Sequence, residues 1–168
     1  MSTEYFNVIM VILTILGIAG GLWQWHKSNQ IRRADFVNQI LNKLRFNEEV
    51  SNVVQRIEYD DKWYNAKFHG GVDETKFDRT FSVINHICYL KRKNLINDED
   101  FSILDYEVTR IILTKQVQEY LWNLYHFSVM QGVPTSFRYM ISYGIDENLI
   151  GENFYDENCK EYNKYLPF

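Results

Sequence analysis

The sequence predicts an all-α protein, with one N-terminal transmembrane helix followed by a cytoplasmic bundle of about five or six helices. Three observations carry this. Phe6 to Trp25 is a run of 20 residues without a charge. Beyond it, apolar residues recur at i, i+3, i+4 and i+7, the period of a helix with one buried face. No stretch of useful length alternates apolar and polar residues as a half-buried strand would.

At about 1.5 Å rise per residue, 20 residues cover about 30 Å, the thickness of a bilayer's hydrocarbon core. Tyr5 and Phe6 stand at one end of the run and Trp23 and Trp25 at the other, where amphipathic rings meet the headgroups. A cleaved signal peptide fits poorly, because only Glu4 precedes the run and bulky Trp and Gln occupy the place of a small-residue cleavage site. A buried core helix fits poorly too, since cores rarely hold so long an uncharged run between aromatic belts. Lys27, Arg32, Arg33, Lys43 and Arg45 follow the run, while the tail before it has no Lys or Arg. By the positive-inside rule the N-terminus lies outside and the C-terminal domain in the cytoplasm. Gly17 and Gly21 form a G-x-x-x-G pair, which lets two spans approach closely and marks an oligomerisation face.

The expected division is a tail and anchor over 1–27, a helical domain over 28–145 and an acidic tail over 146–168. Val37, Ile40, Leu41 and Leu44 share a stripe that continues the spanning helix as a stalk. Asn47 is placed to cap the next helix, with Val50, Val53, Val54 and Ile57 inward. Tyr59 to Val72 is irregular, and Gly70-Gly71 marks a turn. Asp73 is expected to cap a helix that buries Phe77, Phe81, Ile84 and Cys88 and stops at Asn94. Asn97 caps another, with Asp98, Glu99 and Asp100 in its first turn, where the helix dipole favours acids. A helix with Val117, Leu121, Leu124 and Tyr125 ends near Gly132. Pro134 then starts a short one, expected to end at Gly144. The remainder, with six acids against Lys160 and Lys164, is expected to be loosely attached with at most one helical turn.

The chain has 168 residues, 46% of them hydrophobic, and a net charge of −4, which together exclude a disordered chain. The two cysteines, Cys88 and Cys159, suggest neither a disulfide framework nor a zinc site. Phosphate-loop, dinucleotide, zinc-hydrolase and nucleophile-elbow motifs are absent. No catalytic residue, cofactor or metal is expected, and no direct binding of duplex nucleic acid. Candidate sites remain. Lys91, Arg92 and Lys93 could hold a small anionic ligand or anionic lipid, or simply complement their helix's dipole. Tyr120, Trp122, Tyr125, His126 and Phe127 crowd one helix and cover several of its faces, so they form a candidate ligand-binding surface where they are not core. Asp60-Asp61 beside Trp63-Tyr64 could take a cation or a basic partner. His86 and His126 could meet as metal ligands, against which stands the lack of a carboxylate pattern around them.

The stretch Phe81 to Glu107 (FSVINHICYLKRKNLINDEDFSILDYE) closes one helix on a Tyr-Leu-basic run and opens another on an acidic turn. It resembles a domain of unknown function in small bacterial proteins that join one N-terminal span to a helical cytoplasmic domain. The resemblance covers about a third of the chain and carries no site residues. It implies a bacterial inner-membrane location, and proteins of this layout occur among phage-defence effectors. The expected function is a membrane-anchored, non-enzymatic interaction or sensor module, with membrane lipid, further copies of itself, and a protein or small anionic ligand as partners. The alternative is an oligomerising, membrane-disrupting defence effector gated by an anionic, nucleotide-type messenger. An enzyme with a non-standard site at His86 or His126 is a third reading.

Overall fold

The computed structural model describes residues 3–59 and 62–168, and every regular element in them is helical. The chain divides into two compact units, Met1–Gln39 and Ile40–Phe168. Helix α1 runs unbroken over Thr3–Phe46, as expected from the absence of any breaker between the apolar run and the stripe behind it. In the first unit its side chains from Tyr5 to Lys27 are all exposed, with Trp23 at 67% and Leu16 at 62%. The helix is long and apolar enough to cross a membrane. The hydroxyl of Thr14, the only one in the apolar run, donates to the carbonyl of Met10 at 2.8 Å. Its polar group is therefore satisfied inside the helix, as hydrocarbon surroundings require.

The second unit is a helical bundle. Ile40 and Leu44 at the end of α1 are buried. Asn47 caps α2 (Glu48–Tyr59), its Oδ1 accepting the N–H of Val50. Helix α3 (Val72–Arg92) packs on α2, on α4 (Asp98–Leu113) and most extensively on α6 (Arg138–Asp146), while α5 (Lys115–Gln131) lies on α4. The segment 62–69 has no helix, yet it is held because its rings enter the core. Trp63 stacks on Phe77 with centroids 4.2 Å apart, and Tyr64 and Phe68 pack edge-on to Tyr120. Each such pair adds about 0.5–1.5 kcal/mol beyond the area it buries.

Local signals account for most boundaries. Asn97 accepts the N–H of Asp100 and opens α4. Asn94, at φ 53°, ends α3, and Gly132, at φ 65°, ends α5 in the left-handed conformation that favours glycine. Thr114 alone joins α4 to α5, and Gln118 Nε2 donates to the Ile112 carbonyl that the junction leaves without a helical partner.

Four expectations need correction. Asp73 does not cap α3; Gly71 holds that position, and Asp73 pairs with Arg56 at 3.0 Å. Helix α6 starts at Arg138, after Pro134, and its cap comes from elsewhere in the fold. Asn85 of α3 accepts the N–H groups of Tyr139 and Met140, because the N-cap residue itself is Phe137. Gly144 does not end α6 but lies inside it. A Cβ there would sit 2.5 Å from Ile150 Cδ1, so the glycine is fixed by packing. Finally, the acidic stretch 146–168 is not loosely attached. It makes a 3₁₀ turn at Glu152–Tyr155 and buries Ile150, Phe154, Cys159 and Tyr162.

Candidate functional site

Three elements of the second unit leave a cleft of about 340 Å3 between them. The end of α1 supplies Leu44 and Arg45, α2 supplies Glu58 and Tyr59 among others, and α4 supplies Glu107 and Arg110. Each charged residue is placed by the helix pattern. Val53 and Ile57 seat α2 inward and Ile111 and Val108 seat α4, which leaves Glu58, Glu107 and Arg110 on the flanks of their apolar stripes.

Arg110 is the centre of the charge network. Its Nη1 lies 2.5 Å from Glu58 Oε1 and its Nη2 lies 2.6 Å from Glu107 Oε2. Arg45 Nε reaches the other oxygen of Glu107 at 3.4 Å. The two carboxylates are largely covered, with side-chain exposures of 18% for Glu58 and 13% for Glu107. Arg110 also stands 5.0 Å from the ring of Tyr106. Arg110 Nε, closed to solvent, has no hydrogen-bond acceptor, while Glu58 Oε1, equally closed, meets Arg110 in the ion pair. A buried polar atom without a partner costs about 1–3 kcal/mol, more when charged. The floor of the cleft is therefore an ion-pair network with one donor, Arg110 Nε, left over.

The surroundings are apolar and open. Tyr59, in the cleft wall, is 80% exposed. Along α4, Ile103, Tyr106 and Leu113 are exposed at 50%, 66% and 54%, and they share a helix face with Arg110. Tyr and Arg over a partly desolvated floor are the residue types that dominate binding energy at protein interfaces.

A second constellation lies under the loop before α3. Tyr64 Oη lies 2.8 Å from His69 Nε2, His69 Nδ1 lies 2.7 Å from Glu74 Oε1, and Glu74 Oε2 accepts the N–H of Gly70. The chain Tyr–His–Glu has the form of a relay, but Tyr64 is buried, and burial pushes its phenol well above the ordinary range. Its hydroxyl is thus held protonated and out of reach, and the three residues lock the loop to α3.

The residues singled out in the sequence fall elsewhere. Tyr120, Trp122 and His126 are buried in the core and Tyr125 is half-buried, so this crowded face is packing and does not present itself to a ligand. Tyr120 donates to Asp78 at 2.5 Å, Trp122 to the carbonyl of Asp156, and His126 Nε2 to that of Phe154. His86 stacks on Tyr89. Lys91 pairs with Asp98 and stands 5.0 Å from the Phe101 ring, Arg92 reaches Asp146 at 4.0 Å, and Lys93 is exposed at the helix C-cap. Gly17 and Gly21 have no heavy atom within 4 Å of where a Cβ would stand. Asp60 and Asp61, proposed with Trp63 and Tyr64 as a cation site, lie outside the described residues, while Trp63 and Tyr64 are in the core. Among the described residues no three His, Cys, Asp or Glu side chains are grouped to hold a metal ion.

The cleft was not legible beforehand, because its charges come from three separate helices. Only the i, i+3 pair Glu107–Arg110 is a local signal, and alone it reads as a solvated helix face. No family model, curated protein or solved structure matches the chain.

Proposed function

We propose that this chain is a single-span, membrane-anchored interaction module that performs no chemistry of its own. Its helical domain, on the cytoplasmic side of a bacterial inner membrane, docks a partner at the α1–α2–α4 cleft. The observation that carries the reading is the exposed aromatic rim of Tyr59 and Tyr106 over a floor of paired Arg and Glu side chains. A partner segment with an apolar side covers Tyr59 and Tyr106, and its charged groups meet the exposed parts of Arg45 and Arg110 at the edge of the cleft. A protein segment with both charges and an apolar side fits better than a purely anionic small ligand, because the two Arg and two Glu of the floor sum to zero charge. Arg45 stands on the helix that begins at Thr3, so an event at the cleft acts on a residue of the spanning helix itself.

The exposed apolar side chains from Tyr5 to Trp25, with Lys27, Arg32 and Arg33 following, support the anchor and its orientation. Gly17 and Gly21 give two spans a face for close approach. The effector reading gains nothing comparable, since an anion at Lys91 and Arg92 would compete with Asp98 and Asp146 already in place.

A photo-reactive phenylalanine at Tyr59, introduced in cells, tests the site. The expected result is one discrete adduct in membranes that disappears with Arg110→Glu, while the same probe at Val129, exposed at the far end of α5, gives none. Equal adducts from both positions would contradict the cleft as a docking site.

A further inference from the structure

Past the apolar run, one face of α1 carries Trp25, Asn29, Arg32, Arg33 and Phe36, spaced at i, i+4, i+7, i+8 and i+11. These side chains border a hollow of about 440 Å3, with Trp25 at one end, Phe36 at the other and polar groups between. No Asp or Glu lines it. His26 and Gln30, at its edge, are bonded to each other at 3.2 Å. Arg32 is exposed, and neither it nor Asn29 has a hydrogen bond or ion pair among the described residues. The hollow therefore offers a guanidinium fork and an amide to a group that accepts hydrogen bonds, and no carboxylate to a cation.

Position along the helix says where such an acceptor lies. Cα–Cβ bonds in a helix lean toward its N-terminus, so a long side chain covers the turn before its own residue. Lys27 shows the lean directly, its Nζ standing 5.3 Å from the centre of the Trp23 ring. With Trp25 at the edge of the hydrocarbon, Arg32 starts about 10 Å beyond it, and leaning back one turn leaves its guanidinium about 5 Å beyond. The headgroup layer on each side of the hydrocarbon is about 5–7 Å deep. Arg32 thus ends at the depth of the lipid phosphates.

We propose that this hollow binds the headgroup of an anionic phospholipid of the cytoplasmic leaflet, with Arg32 clasping the phosphate and Asn29 donating beside it. The planar fork of a guanidinium matches the paired oxygens of a phosphate. A zwitterionic headgroup fits less well, because its ammonium finds no carboxylate in the hollow. Trp25 lies on the acyl side of the bound headgroup and Phe36 on the aqueous side. The lipid then fixes the depth and rotation of the span. This inference rests on the anchored reading and adds a lipid partner of stated charge.

Lipid retention tests it. The whole chain is reconstituted in phosphatidylcholine vesicles doped with about one part in ten phosphatidylglycerol, extracted in mild detergent, and the lipid that stays bound is counted. The retained lipid is expected to be enriched in phosphatidylglycerol about fivefold over the vesicles, the effect of one basic residue at an anionic surface. Arg32→Gln is expected to return it to the vesicle composition, whereas Lys27→Gln, one turn nearer the membrane but outside the hollow, keeps the enrichment. Equal loss from both variants means diffuse attraction and overturns the site, as does retention without enrichment in the unaltered chain. Displacement of the lipid by excess soluble glycerol phosphate overturns the assignment to a lipid. Flotation with pure phosphatidylcholine vesicles reports the anchor separately: a chain that floats but shows no enrichment refutes the headgroup site alone, and one that does not float refutes both.

Discussion

Asp78 shows how a single side chain carries its environment into a measurable property. Its carboxylate receives the Tyr120 hydroxyl at 2.5 Å while half-buried on α3. Burial raises its pKa above the ordinary 3.8, with Glu74 adding to the rise and the Tyr120 hydrogen bond opposing it. Between 3.8 and that raised value the native state binds more protons than the unfolded state, so the contribution of Asp78 to stability falls as pH rises through this window. Asp78→Asn keeps an acceptor for Tyr120 and removes the charge. The variant is predicted to lose this fall, and to be at least as stable as the wild type at neutral pH, in urea unfolding of the detergent-solubilised chain at pH 3.5 to 7. None of this was legible in the sequence, where Asp78 reads as a solvated helix position. Asn47 and Asn97, by contrast, were legible as caps because their partners lie three residues away. Asn85 and Asn123 serve backbone groups about 40 to 55 residues distant, and no local pattern announces them.

The helices themselves were readable wherever periodicity and a terminal signal agree, as in α2, α4 and α5. They were misread where tertiary packing decides. Gly144 looked like a stop, yet it lies in α6 so that Ile150 and Ile112 can close over it; a Cβ would meet Ile150 Cδ1 at 2.5 Å, its Cγ1 at 2.8 Å and Ile112 Cγ2 at 3.0 Å. Both isoleucines are buried and cannot withdraw. Gly→Ala inside a helix gains about 1 kcal/mol in propensity, whereas overpacking a closed core costs about 1–3 kcal/mol. The steric cost wins, and Gly144→Ala is predicted to destabilise the bundle by up to about 2 kcal/mol in the same unfolding assay, where propensity alone would predict a gain. The stretch after α6 was misread for a related reason. Six acids suggested a solvated tail, but the aromatic residues among them, Phe154, Tyr162, Tyr165 and Phe168, seat it against α5 and the Tyr64 loop.

At the scale of the whole chain, the apolar helix and the charged bundle divide the physics between them. The bundle buries its aromatics; the first unit leaves every large apolar side chain from Tyr5 to Trp25 exposed. Such a surface in water is an aggregation hazard, and in a bilayer it is simply solvated. That contrast was the part of the architecture most legible in the sequence, because a 20-residue uncharged run is a one-dimensional signal. The cleft was the least legible, since it takes one flank from each of three helices. Tyr120, Trp122 and His126 of the aromatic helix expected to bind a ligand are spent on the core. Everything proposed for that cleft presupposes the anchor. The most direct test is to wash membranes with alkaline carbonate, which strips peripheral proteins, and to compare the whole chain with one that begins at Ser28. The account predicts that the whole chain stays in the pellet and the shortened one is released; recovery of the whole chain in the supernatant would contradict it.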